Sequence, residues 1–405
     1  MRKAAITSSF TLLTLIALSA TACGSGGDGG GGGDGGGGGN AAGASRPPAE
    51  LSVVPADGAK DVKPDEPLTA RVDNGTLTAL TVTGPDGKPA EGTLKDGAFT
   101  PKNGLAVDTE YKVRATAASE DGKETASEST FRTLAPSKEQ TETVTVLPAG
   151  GTTVGVGQPL SLTFDHKITN KAEIERRLKV TTNNGTEGSW GWLTETLTGK
   201  DRVDWRPKEY WKPGTRVTLE APLSGVGTGT GRYLTKSYAT SATIGRSQLA
   251  KVDITGHRLT LERDGQTVKS IPITAGDPAK TPTWSGKMPL MAKEGTIRMK
   301  ASSVGLTGYD QPVQKSMRLT VSGTFAHQAE WAESYIGSAN RSHGCIGMKT
   351  ADATWFYDQA QVGDVFEVTG GKETVATGNG FGEWNLSWEN WQKLSSLPHS
   401  SLPGA

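Results

Sequence analysis

The sequence predicts a mainly β protein, with two β-sandwiches in tandem followed by a larger β-rich unit holding one or two short helices. Three observations carry that reading. Apolar and polar residues alternate with a period of two over short runs such as Tyr111-Lys112-Val113-Arg114-Ala115 and Asp364-Val365-Phe366-Glu367-Val368, as in strands with one buried face. Gly and Pro, 54 and 21 of the 405 residues, gather between those runs in turn pairs such as Asp86-Gly87 and Asp264-Gly265. Part of the layout also recurs further along the chain.

In chain order, residues 1–22 come first. Arg2 and Lys3 precede a mostly apolar run from Ala4 to Leu18, and small residues lead to Cys23. The pattern resembles a bacterial lipoprotein signal. That resemblance implies cleavage before Cys23, lipidation of its thiol, and an exported protein anchored to the cell membrane and facing the cell wall. Residues 23–48 are dominated by Gly and lack the apolar surface to offset the entropy of ordering, so a flexible tether is expected.

Residues 49–136 read as the first sandwich, with strands at Leu77 to Val82, Tyr111 to Ala115 and Ser129 to Leu134. Residues 137–246 read as the second. Pro55-Ala56-Asp57-Gly58 returns as Pro148-Ala149-Gly150-Gly151, Pro67-Leu68-Thr69 as Pro159-Leu160-Ser161, and Val72-Asp73 as Phe164-Asp165, at offsets of 92 or 93 residues. A fixed offset of that size points to two tandem immunoglobulin-like modules. Lys171 to Arg177 is a plausible helical insert. From 247 to 370, strands are expected at Val252 to Ile254, Leu259 to Leu261, Ile271 to Ile273, Gly295 to Lys300, Met317 to Val321 and Asp364 to Val368, with a helix at Ala351 to Ala360. In the extension 371–405, Trp384, Trp388 and Trp391 fall at helical spacing, predicting one helical face docked on the third unit or on the preceding module.

Charge and cysteine count narrow the function. Lys+Arg and Asp+Glu are equal at 43 each, with no basic stripe, which argues against nucleic-acid binding. With Cys23 set aside, Cys345 is the remaining thiol, so no intramolecular disulfide is available to an exported chain. A lone thiol is either an inert buried side chain or a reactive one.

The segment Ser342-His343-Gly344-Cys345-Ile346-Gly347-Met348 favours reactivity. A thiol attacks carbonyls as thiolate, and an imidazole can take its proton and later return one to a leaving amine. Glycine beside the nucleophile lets backbone N–H groups approach an oxyanion. On chemistry alone either His327 or His343 could be the base. A Cys-His pair without further ligands is a poor zinc site, and His166, His257 and His399 read as isolated surface positions among the five histidines.

His327 followed after fourteen residues by Ser342-His343-Gly344-Cys345 resembles the signature of the L,D-transpeptidases, the YkuD-type cell-wall enzymes. Thr281-Pro282-Thr283, Gly286, Tyr309, Ser322-Gly323-Thr324-Phe325-Ala326-His327, Trp355-Phe356-Tyr357, Gly363-Asp364 and Gly382-Glu383-Trp384-Asn385 extend the likeness to multidomain actinobacterial members with immunoglobulin-like modules. The resemblance spans residues 49 to about 395 and is strongest from 247 onward. It implies Cys345 as nucleophile and His327 as base. Gln328, where close relatives carry Ser, would orient the imidazole through its backbone carbonyl. His343, Gly344 and the Cys345 amide would form the oxyanion hole, Tyr309 would line the substrate site in a lid, and Ser322 and Gly323 would contact the donor stem. Gly347 stands where many members carry Asn or Arg, a departure at a substrate-contacting position.

The implied reaction cleaves before the terminal D-Ala of a tetrapeptide stem, forms a thioester, and passes the acyl group to a neighbouring stem amine as a 3→3 cross-link. Carbapenems would acylate the same cysteine. Peptidoglycan stems would serve as donor and acceptor, with no metal or organic cofactor required and the chain acting as a monomer. Two other readings remain open at this point: an L,D-carboxypeptidase with water as acceptor, and a wall-binding lipoprotein whose thiol is incidental.

Overall fold

The computed structural model describes residues 47–398. The signal segment, Cys23, the tether up to residue 46 and His399 lie outside the described residues.

Both repeats fold as a pair of four-stranded sheets. In the first, Glu50–Val54, Leu68–Asp73, Ala98–Pro101 and Gly92–Lys95 form one sheet in that spatial order, and Ala59–Val62, Glu124–Thr133, Glu110–Ser119 and Gly75–Thr83 form the other. The second repeats the plan with Val144–Leu147, Leu160–Phe164, Asp201–Pro207 and Gly188–Thr194 facing Thr152–Val154, Tyr238–Ile244, Arg216–Ala221 and Lys179–Thr182. In each, the second strand pairs in parallel with the last. The shared topology is what the recurring Pro and Asp positions signalled. Alternation places Tyr111, Val113, Ala115 and Ala117 in the first core while Lys112 and Arg114 stay exposed. The second core is richer in aromatics, burying Phe164, Trp190, Trp192, Trp205 and Trp211. The insert folds as a short helix, Lys171–Arg176.

The third unit is a nine-stranded mixed sheet. Its spatial order is Gly286–Pro289, Val365–Thr369, Gln248–Asp253, Arg258–Arg263, Gln266–Thr274, Ile346–Met348, Phe325–Gln328, Asp310–Arg318 and Ala292–Lys300. Asp264 and Gly265, with φ of 49° and 79°, close the hairpin between Arg258–Arg263 and Gln266–Thr274 as a turn that needs positive φ at both positions. The helix Thr350–Gln359 buries Ala353 and Phe356 against the sheet.

The second module is seated on this unit by its backbone. The N–H groups of Gly155 and Gly157 donate to the carbonyls of Val362 and Gly363 at 2.7 and 2.8 Å, and Val365 belongs to the second module's core. A Cβ at residue 155 would lie 2.3 Å from the Asp364 nitrogen, so glycine is what permits the approach.

Two sequence expectations change. The strand expected over Met317 to Val321 ends at Arg318, because Leu319 N–H turns back to the Thr324 carbonyl at 2.9 Å and closes a tight turn. The three tryptophans do not share one helix. Trp384 sits in a 3₁₀ turn, Gly382–Asn385, the chain extends at Leu386, and Ser387 caps a new helix, Trp388–Gln392. Freed from a common face, they diverge, and the extension packs on both expected surfaces, the second module and the nine-stranded sheet. Trp384 Nε1 donates to the Gly157 carbonyl at 2.8 Å and Trp391 Nε1 to that of Ser189 at 3.0 Å, while Asn385 Oδ1 accepts from Lys287 N–H at 2.7 Å.

Candidate active site

The strands Phe325–Gln328 and Ile346–Met348 run parallel with His327 opposite Gly347. Side chains alternate along a strand, so Cys345, two residues before Gly347, projects to the same face as His327. Both line one cavity of about 320 Å³, with Tyr309, Trp331, Tyr335, Arg341, His343 and Gly347 also on its wall.

His327 is buried, and its Nδ1 lies 2.6 Å from the Gln328 carbonyl. A carbonyl can only accept, so Nδ1 carries the proton and the neutral ring presents a lone pair at Nε2. Burial holds the imidazole below its ordinary pKa, with the Gln328 hydrogen bond opposing part of the shift. The Gln328 side chain points elsewhere, donating to Thr350 Oγ1 at 3.1 Å. Burial likewise pushes the Cys345 thiol up to about 11, and its Sγ–H faces the Gly323 carbonyl at 3.7 Å. Both shifts run toward the uncharged forms, thiol and neutral imidazole.

The loop that presents Cys345 is held by hydroxyls. Ser342 Oγ donates to the Cys345 carbonyl at 2.6 Å and accepts from the Gly344 N–H at 3.2 Å. Thr283 Oγ1 accepts from Gly276 N–H at 2.8 Å and donates to the Gly344 carbonyl at 3.0 Å, and Thr281 Oγ1 donates to the Ser342 carbonyl at 3.0 Å. Gly344 takes φ of 108°, a conformation that side chains other than glycine rarely adopt. Its N–H donates to Ser342 Oγ in this conformation. The Cys345 amide and His343 remain as candidate donors to an oxyanion. His343 is exposed and meets Tyr309 edge-on, ring centroids 4.9 Å apart.

Tyr309 follows Gly308 in the connection between Ala292–Lys300 and Asp310–Arg318, a hairpin that overhangs the cavity. Burial, and secondarily the Cys345 charge, raises its phenol pKa. Ser322 and Gly323 line a neighbouring cavity of about 520 Å³ that shares Met299 and Tyr309 with the first and adds Arg298, Lys300 and Arg318. Gly347 lies at the strand register itself, where an added Cβ would come 2.9 Å from both Ala329 Cβ and Thr274 Cγ2. Cys23 lies outside the described residues.

Three features escaped sequence reasoning. Trp331 stacks on His327 with centroids 5.8 Å apart and is 47% exposed; its place four residues after His327 was the available signal. Thr283 carried no role until its hydroxyl was seen to bridge two backbone segments. His257, expected to be an isolated surface residue, bonds Asn340 at 3.0 Å through Nδ1, and Asn340 in turn holds the Ala275 N–H at 2.9 Å. Among the described residues no group of three or more His, Cys, Asp or Glu gathers as a metal site, and no helix is long and apolar enough to cross a membrane.

Comparison with known proteins identifies the family. A family model described as a bacterial Ig domain matches residues 59–227, and the L,D-transpeptidase catalytic domain (YkuD) matches residues 247–368. L,D-transpeptidase 2 of Mycobacterium tuberculosis is 33% identical over 351 residues, covering 85% of this chain and 84% of the relative. L,D-transpeptidase 5 of the same species is 32% identical over 358 residues, covering 87% and 78%. A solved L,D-transpeptidase in complex with imipenem is 31% identical and covers 56% of this chain and 98% of its own, with a TM-score of 0.47. With relatives matched over most of both lengths, the chain belongs to the L,D-transpeptidase family.

Proposed function

We propose that this protein is an exported, lipid-anchored peptidoglycan L,D-transpeptidase that forms 3→3 cross-links through a thioester on Cys345. The observation that carries the reading is the pairing of Cys345 and His327 on one sheet face in one cavity, with Nδ1 bound to Gln328 and Nε2 left to accept a proton.

As Cys345 Sγ attacks the carbonyl carbon of the diamino acid's L-centre, its proton passes to His327 Nε2. The tetrahedral oxyanion draws on the Cys345 amide and His343. Collapse breaks the C–N bond, the imidazolium proton goes to the leaving nitrogen, and D-Ala departs. The side-chain amine of a neighbouring stem then attacks the thioester, the C–S bond breaks, and the proton lost by the amine returns the sulfur to its thiol. Tyr309 and the hairpin screen the acyl group from water. Ser322 and Gly323 hold the donor, and Gly347 supplies no polar side chain to it. Cys23 would carry the lipid, with the Gly-rich segment and two modules lifting catalysis into the wall.

The test is intact-protein mass spectrometry of the full-length protein in detergent with a carbapenem, beside Cys345→Ala, followed by a stem tetrapeptide. One covalent adduct lost in the variant, then a cross-linked dimer, is the expected result. Release of tripeptide alone would make water the acceptor, and no adduct would leave the wall-binding reading in its place. Membrane association that survives Cys23→Ala would overturn the anchor.

A further inference from the structure

We propose that Asn379, in the C-terminal extension, is a positioning residue for the acyl donor, and that it ties the second module to the active site. The inference rests on the reading of Cys345 as the acylated nucleophile.

Residues 319–324 form the turn that replaced the expected strand end. Gly323, with φ of 99°, turns its carbonyl toward the Cys345 thiol at 3.7 Å, and Ser322 lines the neighbouring basic cavity with Arg298, Lys300 and Arg318. Asn379 grips this turn reciprocally. Its Oδ1 accepts from the Ser322 N–H at 3.0 Å, and its Nδ2 donates to Ser322 Oγ at 2.8 Å. Asn379 is 3% exposed, so neither bond competes strongly with water.

The second bond has a chemical consequence. A hydroxyl has one proton to give and accepts through oxygen. With Asn379 Nδ2 filling an acceptor site on Ser322, the Ser322 proton is free for Thr320 Oγ1, 3.2 Å away, or for a carbonyl or carboxylate in the cavity. Asn379 thereby sets Ser322 as a donor toward a carbonyl or carboxylate of the acyl donor, beside Lys300, while Arg298 and Arg318 are paired with Asp310 and Glu294.

Asn379 is itself anchored on both sides to the second module. Thr196 N–H donates to the Gly378 carbonyl at 3.0 Å, and Arg202 Nη2 to the Gly380 carbonyl at 2.7 Å. Arg202 is buried with Asp204 and Glu383. A continuous path thus runs from the module through Gly380, Asn379 and Ser322 to the carbonyl facing the nucleophile. On this reading the second module is part of the donor site's framework as well as a stalk.

The experiment measures acylation of the full-length protein by a synthetic stem tetrapeptide, resolving the half-saturating concentration from the limiting rate, beside thermal melting. For Asn379→Ala the expected result is a rise of about tenfold in half-saturating concentration, with the limiting rate within about twofold and a lower melting temperature from the two lost bonds; tenfold corresponds to about 1.4 kcal/mol. Asn379→Asp keeps the acceptor for Ser322 N–H but loses the Nδ2 donor, and a rise of about threefold is expected. The Asp variant also decides the matter if the Ala variant does not fold. Unchanged half-saturation in both, or a fall in limiting rate without a rise in half-saturation, overturns the inference while Cys345 acylation stands. Absence of acylation in the wild type overturns the reading beneath it.

Discussion

The imidazole of His327 is pinned by the carbonyl of its own chain neighbour, Gln328, at 2.6 Å. Because the contact is to the backbone, residue 328 can vary in side chain while the ring keeps its tautomer. That places the second nitrogen at the disposal of the thiol.

The first prediction follows from the shift of both groups toward their uncharged forms. The imidazole sits below its ordinary value near 6.5, so it is deprotonated and competent above that pH. Acylation should be level from pH 7 to 9 and fall on acidification below 6.5 as the ring takes a proton. His327→Ala should lower acylation at pH 7 by about a hundredfold or more and recover toward pH 11, where the thiol itself ionises. A stopped-flow pH profile of acylation measures both, and a profile unchanged by the substitution would move the base to His343.

Thr283 joins Gly276 N–H to the Gly344 carbonyl with one hydroxyl. Thr283→Val keeps the shape and leaves two backbone groups without that partner. Loss of about 2 kcal/mol in urea unfolding is expected, with slower acylation because the loop before Cys345 loosens. Thr283→Ser should restore both.

Gly347 occupies a site with no space for a side chain. Gly347→Asn should lower stability by about 1–3 kcal/mol through overpacking against Ala329 and Thr274. Adding Ala329→Gly should return part of that loss. Calorimetry on the single and double variants tests the coupling, and additive effects would show that the clash is relieved elsewhere.

Glu383 is buried beside Asp204 and Arg202, and neither of its carboxylate oxygens has a hydrogen-bond partner. Burial, then the Asp204 charge, holds its pKa well above the carboxylate range. A raised folded pKa stabilises the fold below the unfolded value near 4.5, and that contribution is lost as pH rises through the folded pKa. The melting temperature of Glu383→Gln should match wild type at pH 5 and exceed it at pH 9. An identical pH dependence in both proteins would mean that another group titrates.

Much of this was legible in the chain. Period-two alternation and Asp-Gly turns are local, so they marked strands such as Glu110–Ser119 and Gln266–Thr274 wherever one face is buried. Offsets of 92 or 93 residues exposed the repeated sandwich, and the His327 to Cys345 spacing pointed to two residues that line one cavity. Local pattern failed at Val321 and at Trp388, where backbone hydrogen bonds and a serine cap ended elements that periodicity alone would have continued.

The sequence by itself determined which residue types are available for the reaction and which segments become strands, since those depend on side-chain chemistry and near neighbours. Tertiary structure decided their relations. Only the parallel register puts His327 and Cys345 on one face, only burial shifts both toward their uncharged forms, and only the wrapped extension sets Asn379 against Ser322, 57 positions earlier. Contacts of that separation depend on how distant strands align, and hydrogen-bond register, which no local spacing encodes, sets that alignment.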